Sequence, residues 1–183
     1  MRITGGILKG RQIHIPKGLP VRPTTDRVRE ALMNILHQQL YWEDIHVLEL
    51  FSGSGIVSME MYSRGTTHID SVEMNTKCVR AQKMLHKKLS IDKIQIFQQR
   101  AQVYVKHCIK KYDLIFMDPP YEMPGQDALL RDILQKPILK KEGILILEHR
   151  SKYNFSSISA FVRTRTYGSS SLSFFELEED SED

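Results

Sequence analysis

Leu48-Glu49-Leu50-Phe51-Ser52-Gly53-Ser54-Gly55 is the stretch on which the fold turns, a short apolar run that breaks into a glycine turn and passes straight into a helix-patterned segment. Glycine tolerates a positive φ and lets the backbone come close to a ligand, and turns of this kind lie at the carboxyl ends of strands, where open α/β sheets bind cofactors. The third position after Gly55 is Ser58, so a full dinucleotide fingerprint is not present. Taken alone, the turn fits a structural junction as well as a binding loop.

Outward from this turn, strands and helices alternate. Apolar and β-branched runs predict strands at His46 to Phe51, Ile69 to Met74, Ile94 to Gln98, Tyr112 to Asp118 and Ile144 to His149. Between them, helical spacing predicts helices over Gly55 to Arg64, Asn75 to Leu89, Ala101 to Lys110 and Gln126 to Leu134. Upstream, Thr24 or Thr25 caps a helix carrying Val28, Ala31, Leu32, Ile35, Leu36 and Leu40 on one face, with Asp26 favoured in its first turn. This order predicts an α/β fold, a mostly parallel sheet with helices on both faces. Phe161 to Tyr167 and Ser171 to Leu177, joined by Gly168-Ser169-Ser170, predict an antiparallel hairpin that finishes the sheet at its edge. The first twenty residues, with alternation over Ile7 to Ile15 and glycines at 5, 6, 10 and 18, predict a small β-hairpin-like extension. Residues 1–183 are thus expected to form a single domain, with an extension at 1–20 and a solvated acidic tail at 176–183.

The charge is unevenly spread. The chain carries a formal +4, but its last eight residues hold six acids and no base; without them 26 basic residues face 16 acids, a body of +10 suited to a polyanionic partner. The beginning Met1-Arg2-Ile3-Thr4-Gly5-Gly6 has no apolar signal core and no run is long enough to span a bilayer, so a cytoplasmic protein without membrane contact is expected. Cys78 and Cys108 lack metal-ligand or redox spacing and the histidines are scattered, so no metal is expected.

Two further elements turn the glycine loop into a site. Glu73 closes the strand after it, about twenty residues on, where a carboxylate accepts bonds from the ribose hydroxyls of an adenosine ligand. Tyr112-Asp113-Leu114-Ile115-Phe116-Met117 then runs into Asp118-Pro119-Pro120-Tyr121. Two prolines give a rigid turn rich in carbonyl acceptors. The Asp118 carboxylate and the Pro119 carbonyl suit the two N–H groups of a base amine, while Tyr121 suits stacking on the base.

This four-residue motif, with the glycine turn and Glu73 in order before it, resembles the amino-methyltransferases of the class I, Rossmann-like fold. A narrower resemblance runs from Arg2-Ile3-Thr4-Gly5-Gly6 to Phe175: the segment from Arg22-Pro23-Thr24-Thr25-Asp26-Arg27 to Leu36, Phe51-Ser52-Gly53-Ser54-Gly55, Ser63-Arg64-Gly65, Val72-Glu73-Met74-Asn75 and the Tyr167-Gly168 turn are similar to the RsmD family, bacterial 16S ribosomal RNA guanine-N2 methyltransferases. The Arg22-to-Leu36 segment is the specific part; the Asp118 motif also marks DNA adenine methyltransferases. The resemblance implies S-adenosylmethionine as cofactor, held by Glu49, Phe51, Ser52, Gly53, Ser54, Gly55, Glu73, Met74, Ala101 and Asp118, and catalysis at Asp118, Pro119, Pro120 and Tyr121. Arg100 stands where the family commonly has Asn or Asp and is given no role, while Ala101 is expected to offer its backbone N–H to the adenine.

The implied partner is 16S ribosomal RNA or the small ribosomal subunit, met by a monomer. Arg2, Lys9, Arg11, Lys17, Arg22, Arg27 and Arg29 make the first thirty residues strongly basic and are expected to contact RNA phosphates. Lys77, Arg80, Lys83, Lys87 and Lys88 are expected to be an ordinary solvated face. The alternatives are a DNA or other RNA amino-methyltransferase, or a non-enzymatic RNA-binding ribosome-assembly factor on the same fold. A nicotinamide oxidoreductase is disfavoured, because hydride transfer has no use for the Asp118 motif.

Overall fold

The apolar runs of the sequence become strands, those at the centre of the sheet buried on both faces, and the helices between them cover those faces. The computed structural model describes residues 1–16, 18–19 and 25–177. Among them the elements are α1 (Asp26–His37), β1 (His46–Leu50), α2 (Ile56–Ser63), β2 (His68–Glu73), α3 (Thr76–Leu89), β3 (Ile94–Gln98), α4 (Ala101–His107), β4 (Tyr112–Met117), α5 (Gln126–Gln135), β5 (Leu139–Arg150), β6 (Phe161–Tyr167) and β7 (Ser170–Glu176). The sheet order is β3-β2-β1-β4-β5-β7-β6. Strands β1 to β5 pair in parallel, and β7 runs antiparallel to both β5 and β6. The expected parallel sheet with an antiparallel hairpin at its edge is borne out.

Alternation along the strands divides the core. Val47, Leu114, Phe116, Ile144, Ile146, Leu172 and Phe174 face Leu32, Met33 and Leu36 of α1. Their neighbours Leu48, Leu50, Ile115, Met117, Leu145, Leu147 and Phe175 face Leu129, Leu130 and Ile133 of α5 and the residues of α4. Burial on both sides is why these strands read as nearly continuous apolar runs. Thr25 caps α1 by accepting from the Val28 N–H at 3.3 Å.

Three local expectations change. The N-terminal hairpin reduces to one antiparallel bridge, Arg2 with Gln12, closed by a 3-10 turn over Gly6–Leu8. Gly5 and Gly6 serve tight packing on α2: a Cβ on Gly6, whose φ is +75°, would lie 1.6 Å from the Ser63 carbonyl oxygen. Ile3 and Ile13 enter the core, so the segment is docked instead of projecting as a separate ribbon. Strand β5 begins five residues early, at Leu139, because its pairing with β4 shifts register between Leu139 and Ile144 around Glu142, whose φ is +52°; Lys140-Lys141-Glu142-Gly143 reads as a loop but is a bulge. Helix α4 stops at His107, ahead of an extended Cys108. Arg22 with the start of the family signature, Lys17, and the tail beyond residue 177 lie outside the described residues.

Candidate active site

Strands β1 and β4 lie side by side at the centre of the sheet, and the chain leaves them toward opposite edges. A crevice opens outside their carboxyl ends at such a reversal. The Asp118 N–H reaches the Leu50 carbonyl at 3.4 Å, which carries the β1–β4 ladder one residue further and sets the Asp118 turn against the glycine loop.

The loop is held in place from behind. Phe51, Gly53 and Gly55 all have positive φ, 62°, 53° and 74°. For Phe51, a bulky L-residue, that conformation is strained and persists only where surroundings impose it. The Ser52 N–H donates to the Val72 carbonyl (3.1 Å) and the Gly53 N–H to Glu73 Oε2 (2.8 Å), while Glu73 Oε1 accepts from the Asn75 N–H (2.7 Å). Glu73 is therefore a brace of the loop; two backbone bonds leave acceptor capacity on its carboxylate for hydroxyl groups. Met74 beside it is 60% exposed, an apolar side chain bared next to the loop.

Gln82 of α3 was not singled out by its sequence, yet it latches the loop. Its Nε2 donates to Ser52 Oγ (3.0 Å) and the Gly53 carbonyl (2.8 Å), and its Oε1 accepts from Ser71 Oγ (3.2 Å). A Cβ on Gly55 would lie 2.9 Å from Gln82 Cδ, so this glycine is required by packing as well as by its φ. The signal was a polar residue inside the buried stripe Cys78, Val79, Gln82, His86 of an amphipathic helix.

Glu49 is a correction. It is 2% exposed, and its carboxylate accepts from the Ser58 N–H (3.0 Å) and Ser58 hydroxyl, capping α2 from within. Burial pushes its carboxyl up to about 8, against the lowering by the Ser58 bonds. It supports the loop from the interior and offers no surface to a ligand. Ala101 begins α4 and is 3% exposed; Arg100 occupies the cap position with no side-chain cap bond.

At the turn, Asp118 is half-buried, Pro119 buried and Pro120 exposed. Gln126, at the start of α5 and 8% exposed, donates its Nε2 to the carbonyls of Pro120 and Tyr121, both at 3.0 Å. The Met123 N–H closes the turn onto the Pro120 carbonyl at 2.8 Å. Tyr121 is fixed through its hydroxyl, 2.7 Å from Ser170 Oγ at the start of β7, with the Arg150 guanidinium 5.2 Å from its ring centroid. Gln126, Ser170 and Arg150 carried no sequence signal, because each depends on a tertiary contact. The structure thus brings Phe51 to Gly55, Glu73, Met74 and Asp118 to Tyr121 to one end of the sheet.

The basic N-terminal set divides. Arg2, Lys9, Arg11 and Arg27 are exposed. Arg29 is 0% exposed and corrects the expectation: its Nε pairs with Glu60 Oε1 (3.0 Å), its Nη1 with Asp26 (3.0 Å), and its Nη2 donates to the Arg2 carbonyl (2.9 Å). Buried Glu60 also accepts from Thr4 N–H and Oγ1, both at 2.9 Å, and from Arg64, so this network fastens the N-terminal segment to α2. No group of three or more His, Cys, Asp or Glu able to hold a metal occurs among the described residues, and none of their helices is long and apolar enough to cross a membrane.

The family model described as conserved hypothetical protein 95 matches residues 1–176. YlbH of Bacillus subtilis is 31% identical over 182 residues, 96% of this chain and 98% of its own length. The protein named ribosomal RNA small subunit methyltransferase D in Buchnera aphidicola from Acyrthosiphon pisum is 32% identical over 152 residues, 82% of this chain and 78% of its own. A hypothetical protein of Thermus thermophilus superposes with a TM-score of 0.84 at 26% identity, over 97% of this chain and 99% of its own. A glycine loop braced by Glu73 and facing an Asp-Pro-Pro-Tyr turn, together with similarity along almost the whole length of these proteins, places the chain in the RsmD family.

Proposed function

We propose that this chain transfers the methyl group of S-adenosylmethionine to the exocyclic N2 of a guanine in 16S ribosomal RNA. The observation that carries the reading is the bond from the Asp118 N–H to the Leu50 carbonyl, which sets an acceptor-rich turn beside the glycine loop that Glu73 braces. Membership of a family that includes proteins named for ribosomal RNA methylation supports the choice of polymer.

The residues at the loop fit the cofactor: Glu73 has acceptor capacity for ribose hydroxyls, Met74 bares an apolar side chain for a ring face, and Gly53 and Gly55, both at positive φ, turn the loop without side chains of their own. When bound, the sulfonium supplies the electrophilic methyl group, and its leaving group departs neutral. The protein's task is the nucleophile. The N2 lone pair is delocalised into guanine, so rate comes from holding the amine in line and from favouring the positive charge that develops on it. The carbonyls of Pro120 and Tyr121 are engaged by Gln126. The Pro119 carbonyl and the Asp118 carboxylate, at the head of the same turn, are the acceptors we propose for the two N–H groups of the amine. Asp118 stabilises the cationic amine electrostatically, and the proton leaves after transfer. Tyr121, fixed by Ser170, holds the base plane; a base within a helix cannot reach this crevice, so the target guanine is looped out or flipped.

Calorimetry with S-adenosylmethionine, followed by competition between small-subunit RNA and duplex DNA for labelled methyl groups, tests the reading. Cofactor binding with label entering RNA is expected. Label entering DNA would identify a DNA amino-methyltransferase, and no cofactor binding would leave an RNA-binding scaffold.

A further inference from the structure

A cavity of about 430 Å³ lies beside the Asp118 turn, between Tyr121 and Met123, the start of α5 and the segment after β5 that carries Tyr153 and Phe155. Of the four residues Asp118 to Tyr121, Tyr121 alone lines it. Asp118, Pro119 and Pro120 do not line it, so the cavity is distinct from the Asp118 acceptors, with Tyr121 bordering it. We infer that the cavity is a stacking subsite for the base of the nucleotide adjoining the methylated one.

Three properties of the lining point to a base. First, it offers the aromatic face of Tyr153, which is 37% exposed, while Phe155 is 5% exposed and packs edge-on to His149 with ring centroids 4.7 Å apart. Stacking of this sort tolerates any base, because every base has a π-face. Second, the charged lining groups are acids, Glu122 and Asp127. They repel a phosphate but accept hydrogen bonds from the amino edge of a guanine, adenine or cytosine. Third, cations stand at the edge and not inside: Arg150 pairs with Glu122 at 3.0 Å, and Lys152 lies 5.1 Å from the Tyr153 ring centroid. Backbone phosphates passing over the rim would meet these cations while the base sits within. Extruding one guanine also unstacks its neighbour, and single-stranded bases of this kind are what RNA-binding proteins take onto aromatic side chains.

This inference rests on the nucleic-acid methylation proposed above. Its test is steady-state methylation of small-subunit particles from a strain lacking this protein, comparing the wild type with Tyr153→Ala, Tyr153→Trp and Ala128→Phe. Ala128 is an exposed α5 residue lining the cavity, so the larger side chain fills it without disturbing the core. Tyr153→Ala and Ala128→Phe are expected to raise KM for the particle on the order of tenfold, with kcat and cofactor affinity unchanged, and Tyr153→Trp to retain the wild-type KM. A wild-type KM in either of the first two variants, or a loss confined to kcat, overturns the subsite alone. Absence of methylation by the wild type overturns the proposed function and the subsite with it.

Discussion

Asp118 and Glu49 are carboxylates near the ends of neighbouring strands, and their surroundings differ. Asp118 is half-buried in a rigid turn whose neighbouring carbonyls are pinned by Gln126. Its replacement by Ala should leave cofactor affinity within about twofold and lower kcat by about 10²–10³, the range lost when one preorganised electrostatic partner of a transition state is removed. Calorimetry and single-turnover methylation on the same samples check both halves. Glu49 is enclosed, and its carboxyl is raised to about 8 from an ordinary 4.5. A folded value above the unfolded one means that the folded state binds the extra proton, so stability falls as pH rises from about 4.5 to about 8 and is level above that. His86, buried and lowered to about 4, acts in the opposite sense on the acid side, where stability falls as pH drops below about 6.5. Between about pH 6.5 and 8 the His86 effect is complete while the Glu49 decline continues. Glu49→Gln should flatten the decline of Tm over that interval, and an unchanged pH profile of Tm would show that Glu49 is not the group responsible.

The elements that form the site are held by two glutamine side chains, one behind each half. Gln82 of α3 makes bonds to three residues, Ser52, Gly53 and Ser71. Gln82→Leu leaves these groups buried without partners, so a loss of about 1–3 kcal/mol in denaturant unfolding is expected, together with weaker cofactor binding as the loop loosens. Gln126→Leu should behave differently: cofactor affinity holds, and methylation falls because the Pro120 and Tyr121 carbonyls lose their shared donor. Equal losses of cofactor binding in both variants would contradict this division. The glycine loop, Glu73 and the Asp118 motif were legible in the sequence because each is local, an apolar run followed at once by its turn. Gln82, Gln126 and Ser170 were not, since a glutamine or serine gains its meaning from a residue between 5 and 49 positions away. The bulge at Lys140 to Gly143 was hidden for a related reason: charged residues and glycine signal a loop, and only pairing with Tyr112 and Leu114 extends the strand across them.

At the scale of the whole molecule, the N-terminal segment joins a buried anchor at Arg29 to an exposed basic surface, which its composition could not separate. Periodicity placed Arg29 on the same helix as the core residues of α1 but gave no sign that Glu60 waits inside for it; the basic bias then grouped it with its exposed neighbours. Arg29→Met takes from the buried Glu60 carboxylate one of its two cationic partners, with Arg64 and Thr4 still bonded to it, so a loss below the roughly 3–5 kcal/mol of a fully broken buried pair is expected; a fall in Tm is expected, not a specific loss of RNA contact. Replacing Arg2, Lys9, Arg11 and Arg27 by Gln should do the reverse. The fold is kept, because these side chains are exposed, while RNA affinity drops and the slope of log K against log salt shrinks by about 3, the share of four phosphate contacts at roughly 0.7–0.9 each. An unchanged slope would remove this segment from the RNA interface. The central claim joins these scales, and one measurement tests it most directly: label from S-adenosylmethionine is transferred to small-subunit particles from a strain lacking this protein, and the modified nucleotide is mapped. The account predicts label on N2 of a single guanine of 16S ribosomal RNA, lost to the extent that kcat falls with Asp118→Ala; label on an adenine amine, or full labelling by the Asp118→Ala variant, would contradict it.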